Sequence, residues 1–154
     1  IDANKPLSYI TQTTLSISDT KHIVNKIKEL FPFVTLTPKE DICYATQNRQ
    51  DAVIELTKQC DVVIICGSPH SSNSNRLKET AEKEGVTSYI IDTVDELSFD
   101  WIKGKKRIGI SSGASVPDSI VKSLVERIIA KYPNSTVSQE KSIEEGIKFA
   151  LPQI

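Results

Sequence analysis

Five consecutive apolar residues, Val62-Val63-Ile64-Ile65-Cys66, stand between Asp61 and Gly67. The run is too short for a buried helix, and it lacks the alternation of a strand with one wet face. It therefore predicts a strand covered on both sides, the pattern of a parallel sheet. Parallel neighbours need long crossovers, usually helical, so the flanking sequence has to supply helices as well as partner strands.

It does, in alternation. Leu7 to Thr13 reads as a strand, followed by a helix capped by Ser18 or Asp19, with Ile23, Ile27, Leu30 and Phe31 on one face and its end at Pro32. Phe33 to Thr37 is a second strand, and Pro38-Lys39-Glu40-Asp41 is the best candidate for a linker. A helix is expected after Asn48, with Ala52, Val53 and Leu56 inward. Asn75 to Glu84 is helical, with Leu77 and Ala81 inward and Gly85 in the place of a C-terminal cap. Ser88 to Ile91 is a strand, Asp95 to Trp101 a short helix, and Arg107 to Ile110 another strand. The strongest helix runs from Pro117, a residue suited to a first helical position, to about Lys131. Its stripe is Ile120, Val121, Leu124, Val125, Ile128 and Ile129. Beyond Asn134 the signal thins to one weak strand and a short helix.

The fold class is thus α/β, built from βα units on a parallel sheet. Residues 41 to about 133 make a complete small domain, whereas residues 1 to 39 are only β-α-β. Three such elements leave an apolar sheet face uncovered, so that piece is expected to belong to a larger neighbouring domain. The chain opens Ile1-Asp2-Ala3 and holds no Met, so either processing or truncation is expected to have removed its natural beginning, and the packing of the β-α-β piece points to a missing N-terminal part.

Composition excludes several functions. Lys+Arg is 19 and Asp+Glu is 20 over 154 residues, a net charge of −1, so the broad basic face of a nucleic-acid binder is absent. No apolar run approaches the ~20 residues of a membrane span. Three cysteines, Cys43, Cys60 and Cys66, form neither a CxxC pair nor a zinc spacing, and an odd count makes a poor disulfide framework. A reducing, cytoplasm-like compartment is the expectation.

Ligands of open parallel sheets sit beyond the carboxyl ends of the strands, and three such turns are rich in hydroxyls and amides. These are Thr11-Gln12-Thr13-Thr14 with Ser16 and Ser18, Gly67 to Arg76, and Ser111-Ser112-Gly113-Ala114-Ser115 ahead of Pro117-Asp118. Any one of them can be nothing more than helix capping, Ser115 for the helix at Pro117 in particular. Together they offer neutral donors and helix N-termini to one anion, a recurrent way to hold a phosphate or diphosphate. No nucleotide-binding glycine fingerprint is present. Cys60 and Cys66 read as small core residues. Cys43 stands just ahead of a helix, where a thiolate is favoured, and is either a metal ligand or a packed residue. His70 lies in the middle turn and could touch an anion, while His22 falls on a polar helix face.

The strings TQTTLS at 11–16, DICYATQNRQ at 41–50, SSNSNRL at 71–77 and GASVPD at 113–118 resemble, in order and spacing, the C-terminal half of the 4-hydroxy-3-methylbut-2-enyl diphosphate reductase (LytB/IspH) family. The resemblance implies a three-lobed α/β protein around a 4Fe-4S cluster, held by one cysteine from each lobe and leaving one iron open to substrate. Residues 1–39 would then complete the middle α/β domain, and 40–154 would form the third with a C-terminal tail. Cys43 matches the third cluster cysteine. Ser71, Ser72 and Asn73 match the diphosphate turn, Ser115 a further diphosphate donor, and Thr13 the threonine beside the substrate hydroxyl. Gln12, Thr14 and Asn48 match supporting positions, and Arg49 shares the motif of Asn48. The implied reaction removes the allylic hydroxyl of 4-hydroxy-3-methylbut-2-enyl diphosphate to give isopentenyl and dimethylallyl diphosphate. Its electrons would come from a ferredoxin or flavodoxin, in the cytoplasm or a plastid-like compartment.

With one motif cysteine of three, the isolated chain is expected to be an inactive part of such a reductase. The upstream sequence is expected to carry two more cysteines, one as Thr-Cys-Pro, and a His-Pro-Glu element. Two other readings stand beside it: a non-enzymatic phosphate- or phosphosugar-binding module with a structural Cys43, and an interaction domain using the open face of the first 39 residues.

Overall fold

The computed structural model describes residues 5–35 and 42–139. Its strands are β1 (Leu7–Ser8), β2 (Val34–Thr35), β3 (Val62–Cys66), β4 (Ser88–Ile91) and β5 (Ile108–Ser112). Its helices are α1 (Ile17–Leu30), α2 (Tyr44–Thr57), α3 (Ser72–Lys83) and α4 (Asp118–Lys131), with 3-10 turns at Val94–Glu96 and Phe99–Trp101. Strands β1 and β2 pair in parallel as a two-stranded sheet, and β4-β3-β5 form a three-stranded parallel sheet. The α/β expectation is met. The linker at 38–41 and most of the weak C-terminal signal lie outside the described residues.

The apolar run is the central strand, and every one of its residues is buried. Alternation sends Val62, Ile64 and Cys66 to one face, where they join Ile91, Leu97, Ile102, Leu124 and Ile128 under α4. Val63 and Ile65 turn to the other, against Val53 of α2 and Leu77 and Ala81 of α3. The sheet is therefore sealed above and below, as the sequence pattern requires. On the β4 side, Tyr89 stacks on Trp101 with ring centroids 4.2 Å apart. At the opposite end from the turns, Asp61 Oδ2 accepts the Lys106 and Arg107 amides at 2.7 and 3.0 Å, pinning the entry of β5.

The β1-α1-β2 piece is open by comparison. Ile10, Ile23, Leu30 and Phe33 are exposed large apolar residues, on helix α1 and in the turns rather than on the two short strands, whose Leu7 and Val34 are half-buried. One ion pair reaches from it to the larger unit, Lys83 Nζ to Asp19 at 2.6 Å.

Several element bounds differ from the sequence reading for identifiable reasons. Strand β1 stops at Ser8, because Gln12 to Leu15 turns instead, with Leu15 N donating to Gln12 O. Ser16, not Ser18 or Asp19, precedes α1, its carbonyl already accepting from Thr20 N. Helix α2 begins at Tyr44, not after Asn48. Its buried positions Thr46, Gln50, Val53 and Thr57 keep helical spacing but are mostly polar, so hydrophobic periodicity is blind to them. Ala52, expected inward, is exposed. Helix α3 starts at Ser72 because Ser71 caps it, its oxygen accepting from Ser74 N at 3.4 Å and its carbonyl from Asn75 N at 3.0 Å. Pro117, not Ser115, is the N-cap position of α4, and this end of the helix has no side-chain cap bond from its N-cap residue.

Truncating Leu77, which is 0% exposed between the sheet and α3, leaves a cavity. Leu77→Ala is expected to lower unfolding free energy by about 2–5 kcal/mol in urea denaturation; a loss under about 1 kcal/mol would mean that α3 does not seal that face. The two amide bonds hold the Asp61 carboxyl below its ordinary value of 3.8, Arg107 contributing most and Lys106 next. A depressed folded pKa adds stability above the unfolded value and loses it as pH falls through the folded one. The Tm gap between wild type and Asp61→Asn should thus be present at pH 7 and close at pH values below 3.8. A gap that widens on acidification would contradict this.

Candidate functional site

Strands β3 and β5 run side by side with Cys66 opposite Ser112, so their outgoing turns leave the sheet together. Gly113 N donates to Cys66 O at 2.9 Å and Gly67 N to Ile91 O at 2.8 Å, carrying the sheet bonds one residue into each turn. Between the turns stands Ser74, in the first helical turn of α3. A Cβ at Gly67 would lie 2.2 Å from Ser74 Oγ, and one at Gly113 2.6 Å, so both positions exclude side chains; Gly67 also has a φ of +153°. The space left between the turns is a cavity of about 290 Å3 walled by Gly67, Ser68, Ser71, Ser74, Asp92, Ser115 and the start of α4. Its polar lining is mostly hydroxyl, with the N-termini of α3 and α4 at its edge and one carboxylate, Asp92, on its wall. Such a surface suits an anion held by neutral donors and helix ends rather than by fixed cations.

The first hydroxyl-rich turn, which belongs to the other sheet, joins this site through specific bonds. Thr14 Oγ1 and Ser72 Oγ are 2.9 Å apart. Cys43 N donates to Thr13 O at 3.0 Å, and Gln50 Nε2 reaches Leu15 O at 3.5 Å. Helix α2 thereby carries Cys43 at its start, holds the Thr13 turn with its first two turns, and extends Arg49 Nη1 to Ser112 O at 3.5 Å.

The sequence-selected residues do not all meet in one place. Ser71 and Ser115 wall the same cavity. Ser72 stands outside it, paired with Thr14. Asn73 packs against Gly113, whose Cβ position is 3.6 Å from Asn73 Nδ2. Thr13 is exposed beside Cys43, and Gln12 is exposed on the same turn. Asn48 is half-buried in α2 and does not line the cavity.

Buried side-chain polar atoms without a partner are uncommon, so their location is informative. Among the described residues six are found, and four of them, Arg49 Nε, Asn73 Nδ2, Asn73 Oδ1 and Ser74 Oγ, surround the Ser112–Gly113 turn. Ser74 and Arg49 carried no assigned contact in the sequence reading. The signal that could have found Ser74 is its place in the same Ser-Asn turn, combined with a glycine immediately after each of two parallel strands.

The cysteines separate as expected. Cys66 is buried and burial pushes its thiol up to about 11, which disfavours thiolate. Cys60 is half-buried, with Sγ 3.1 Å from the Cβ position of Gly109. Cys43 is exposed at the start of α2, so its sulfur is free of core packing and available to a metal. Among the described residues no three of His, Cys, Asp or Glu are grouped to hold a metal ion, so Cys43 can contribute one ligand and no more. His22 and His70 are exposed, and His70 N donates to Ser68 Oγ at 3.2 Å.

Comparison with known proteins matches the LytB protein family over residues 1–129. The chain belongs to the LytB family. Its curated relatives include the 4-hydroxy-3-methylbut-2-enyl diphosphate reductases of Chromobacterium violaceum, 47% identical over 95% of this chain and 47% of the relative, and of Ralstonia nicotianae, 50% identical over 96% of this chain and 45% of the relative. Among solved structures, the E-1-hydroxy-2-methyl-but-2-enyl-4-diphosphate reductase from Plasmodium falciparum superposes with a TM-score of 0.82 at 34% identity, over 94% of this chain and 47% of that one. The chain spans about half the length of the curated relatives it matches. For a LytB chain, the family resemblance read from four short motifs is therefore correct.

Exposure dictates an order of thiol reactivity in this LytB chain. Brief iodoacetamide treatment of the folded protein at pH 8 is expected to alkylate Cys43 and spare Cys66, as read by peptide mass spectrometry. Labelling of Cys66 ahead of Cys43 would contradict the placement of both.

Proposed function

We propose that the chain supplies the diphosphate-binding turns and one cluster ligand of a 4-hydroxy-3-methylbut-2-enyl diphosphate reductase. The observation that carries this reading is that the Gly67–Ser71 turn and Ser115 wall one cavity whose polar groups are mostly serine hydroxyls, with the exposed Cys43 bonded to the adjoining Thr13 turn. Ser71 and Ser115 would hold the diphosphate, with Asn73 and Ser72 reorienting toward it. The unpartnered amide of Asn73 and the solvent-facing Ser72–Thr14 pair are both able to do so. Thr13 would orient the substrate alcohol and pass it a proton, while Gln12, Thr14 and Asn48 support the turn and helix that place it.

A 4Fe-4S cluster with Cys43 as one ligand would deliver two electrons which, with two protons, expel the allylic hydroxyl as water and leave isopentenyl and dimethylallyl diphosphate. One thiolate cannot retain such a cluster, so the remaining cysteines are assigned to the half of the relatives' length that this chain does not span. In this reading residues 1–39 complete a middle domain of a three-lobed protein, with 40–154 as its third domain. The exposed Ile10, Ile23, Leu30 and Phe33 are then the surface which that half covers. Ferredoxin or flavodoxin would donate the electrons, in the cytoplasm or a plastid-like compartment. No helix among the described residues is long and apolar enough to cross a membrane.

The test is complementation. Coexpressed with the N-terminal half of the Chromobacterium violaceum reductase and reconstituted anaerobically, the chain is expected to restore oxidation of reduced methyl viologen by the allylic diphosphate. Cys43→Ser should abolish both the cluster absorbance and the activity. Because Ser115 is exposed and is not the N-cap residue of α4, Ser115→Ala should leave Tm unchanged and raise KM about tenfold, the loss of one charge-assisted hydrogen bond. An inert complex, or activity that survives Cys43→Ser, would refute the assignment and leave the phosphate-binding module in its place.

A further inference from the structure

Ser74 is the most enclosed hydroxyl at the site and the one with the least apparent reason to be there. The residue is 1% exposed, and its Oγ has no hydrogen-bond partner among the described residues. Burying a hydroxyl unsatisfied costs about 1–3 kcal/mol, a cost that alanine, with the same Cβ and no polar atom, would avoid. The position is not one where a larger residue is needed either, since Gly67 and Gly113 have each given up a side chain to let Oγ in, at 2.2 and 2.6 Å from their Cβ positions. Local capping does not account for it: the Ser74 amide donates to Ser71 Oγ, but the Ser74 hydroxyl takes no part in that bond. What the residue does have is a place in the wall of the cavity that Ser71 and Ser115 also line, with its hydroxyl set between Gly67 and Gly113.

Resting on the reading of that cavity as a diphosphate site, we infer that Ser74 is a further anion-binding residue, whose hydroxyl donates its hydrogen bond to the diphosphate between the two glycines. In the empty protein Oγ is sealed from water by the Gly67 and Gly113 turns. A small parting of those turns by an entering oxyanion exposes a hydroxyl that neither turn satisfies. The absence of Cβ atoms on both sides is what leaves a path to it. An unsatisfied group held ready in this way makes the site less stable when empty and more selective for an anion that reaches its floor.

The inference separates binding from stability in a direction that a structural serine would not. Inorganic pyrophosphate is the probe, titrated by calorimetry into the full chain, into Ser74→Ala and into Ser115→Ala. Ser74→Ala is expected to keep or raise Tm and to bind pyrophosphate about tenfold more weakly. Unchanged affinity in Ser74→Ala alongside weakened affinity in Ser115→Ala would overturn the role of Ser74 and leave the cavity reading intact. A lower Tm in Ser74→Ala with unchanged affinity would make the residue structural and overturn it equally. Failure of the wild-type chain to bind pyrophosphate at all would remove the cavity reading and this inference with it.

Discussion

The parallel pairing of β3 with β5 is the constraint from which the site follows. It holds Cys66 beside Ser112, so two segments of the chain leave the sheet side by side, and Gly113 N closing on Cys66 O joins them at the sheet edge. Neither turn could come so close with a side chain at its first residue, because the first turn of α3 fills the gap with Ser74. Burial of Val62 to Cys66 on both faces holds β3 in the interior, and its register from Val62–Ile108 to Cys66–Ser112 carries the two turns out together. The core thus serves the site by setting a spacing, and the hydroxyl-lined cavity is what remains between two well-anchored backbones.

Helix α2 links that spacing to the thiol. It begins at Tyr44, directly after Cys43, buries a polar stripe of Thr46 and Gln50 together with Val53 and Thr57, and reaches the Thr13 turn on one side and Ser112 on the other. A helix fastened mostly by polar contacts is an uneconomical way to fill a core. It is a direct way to fix where an exposed cysteine stands relative to two loops from different sheets. The four unpartnered buried atoms around Ser112–Gly113 lie on the same line of contact, where α2, α3 and the β5 turn meet. Real proteins tend to break local satisfaction rules where a ligand completes the set.

How much of this the sequence made legible depended on the kind of force involved. The central strand could be read to the residue, because an apolar run bounded by Asp61 and Gly67 admits one interpretation. Leu77 and Ala81 were readable from spacing, and Leu124 and Ile128 from a regular stripe. The start of α2 was not, since polar residues on its inner face carry no hydrophobic period. Pro117 took the cap position that Ser115 was expected to fill at the start of α4, because a serine two residues before a proline looks like a cap until the backbone shows where the helix begins. In the site, composition indicated hydroxyl-rich turns but could not distinguish Ser71, which both caps and lines the cavity, from Ser72, which faces Thr14. Ser74 was invisible as a separate residue, for its importance lies in its contact with two glycines distant in the chain.

The most direct trial of the account is a crystal structure of the chain with inorganic pyrophosphate at saturating concentration. The account predicts the pyrophosphate lodged between the Gly67 and Ser115 turns, within hydrogen-bond distance of the Ser71 and Ser115 hydroxyls. Pyrophosphate bound elsewhere on the surface with that cavity empty would contradict it.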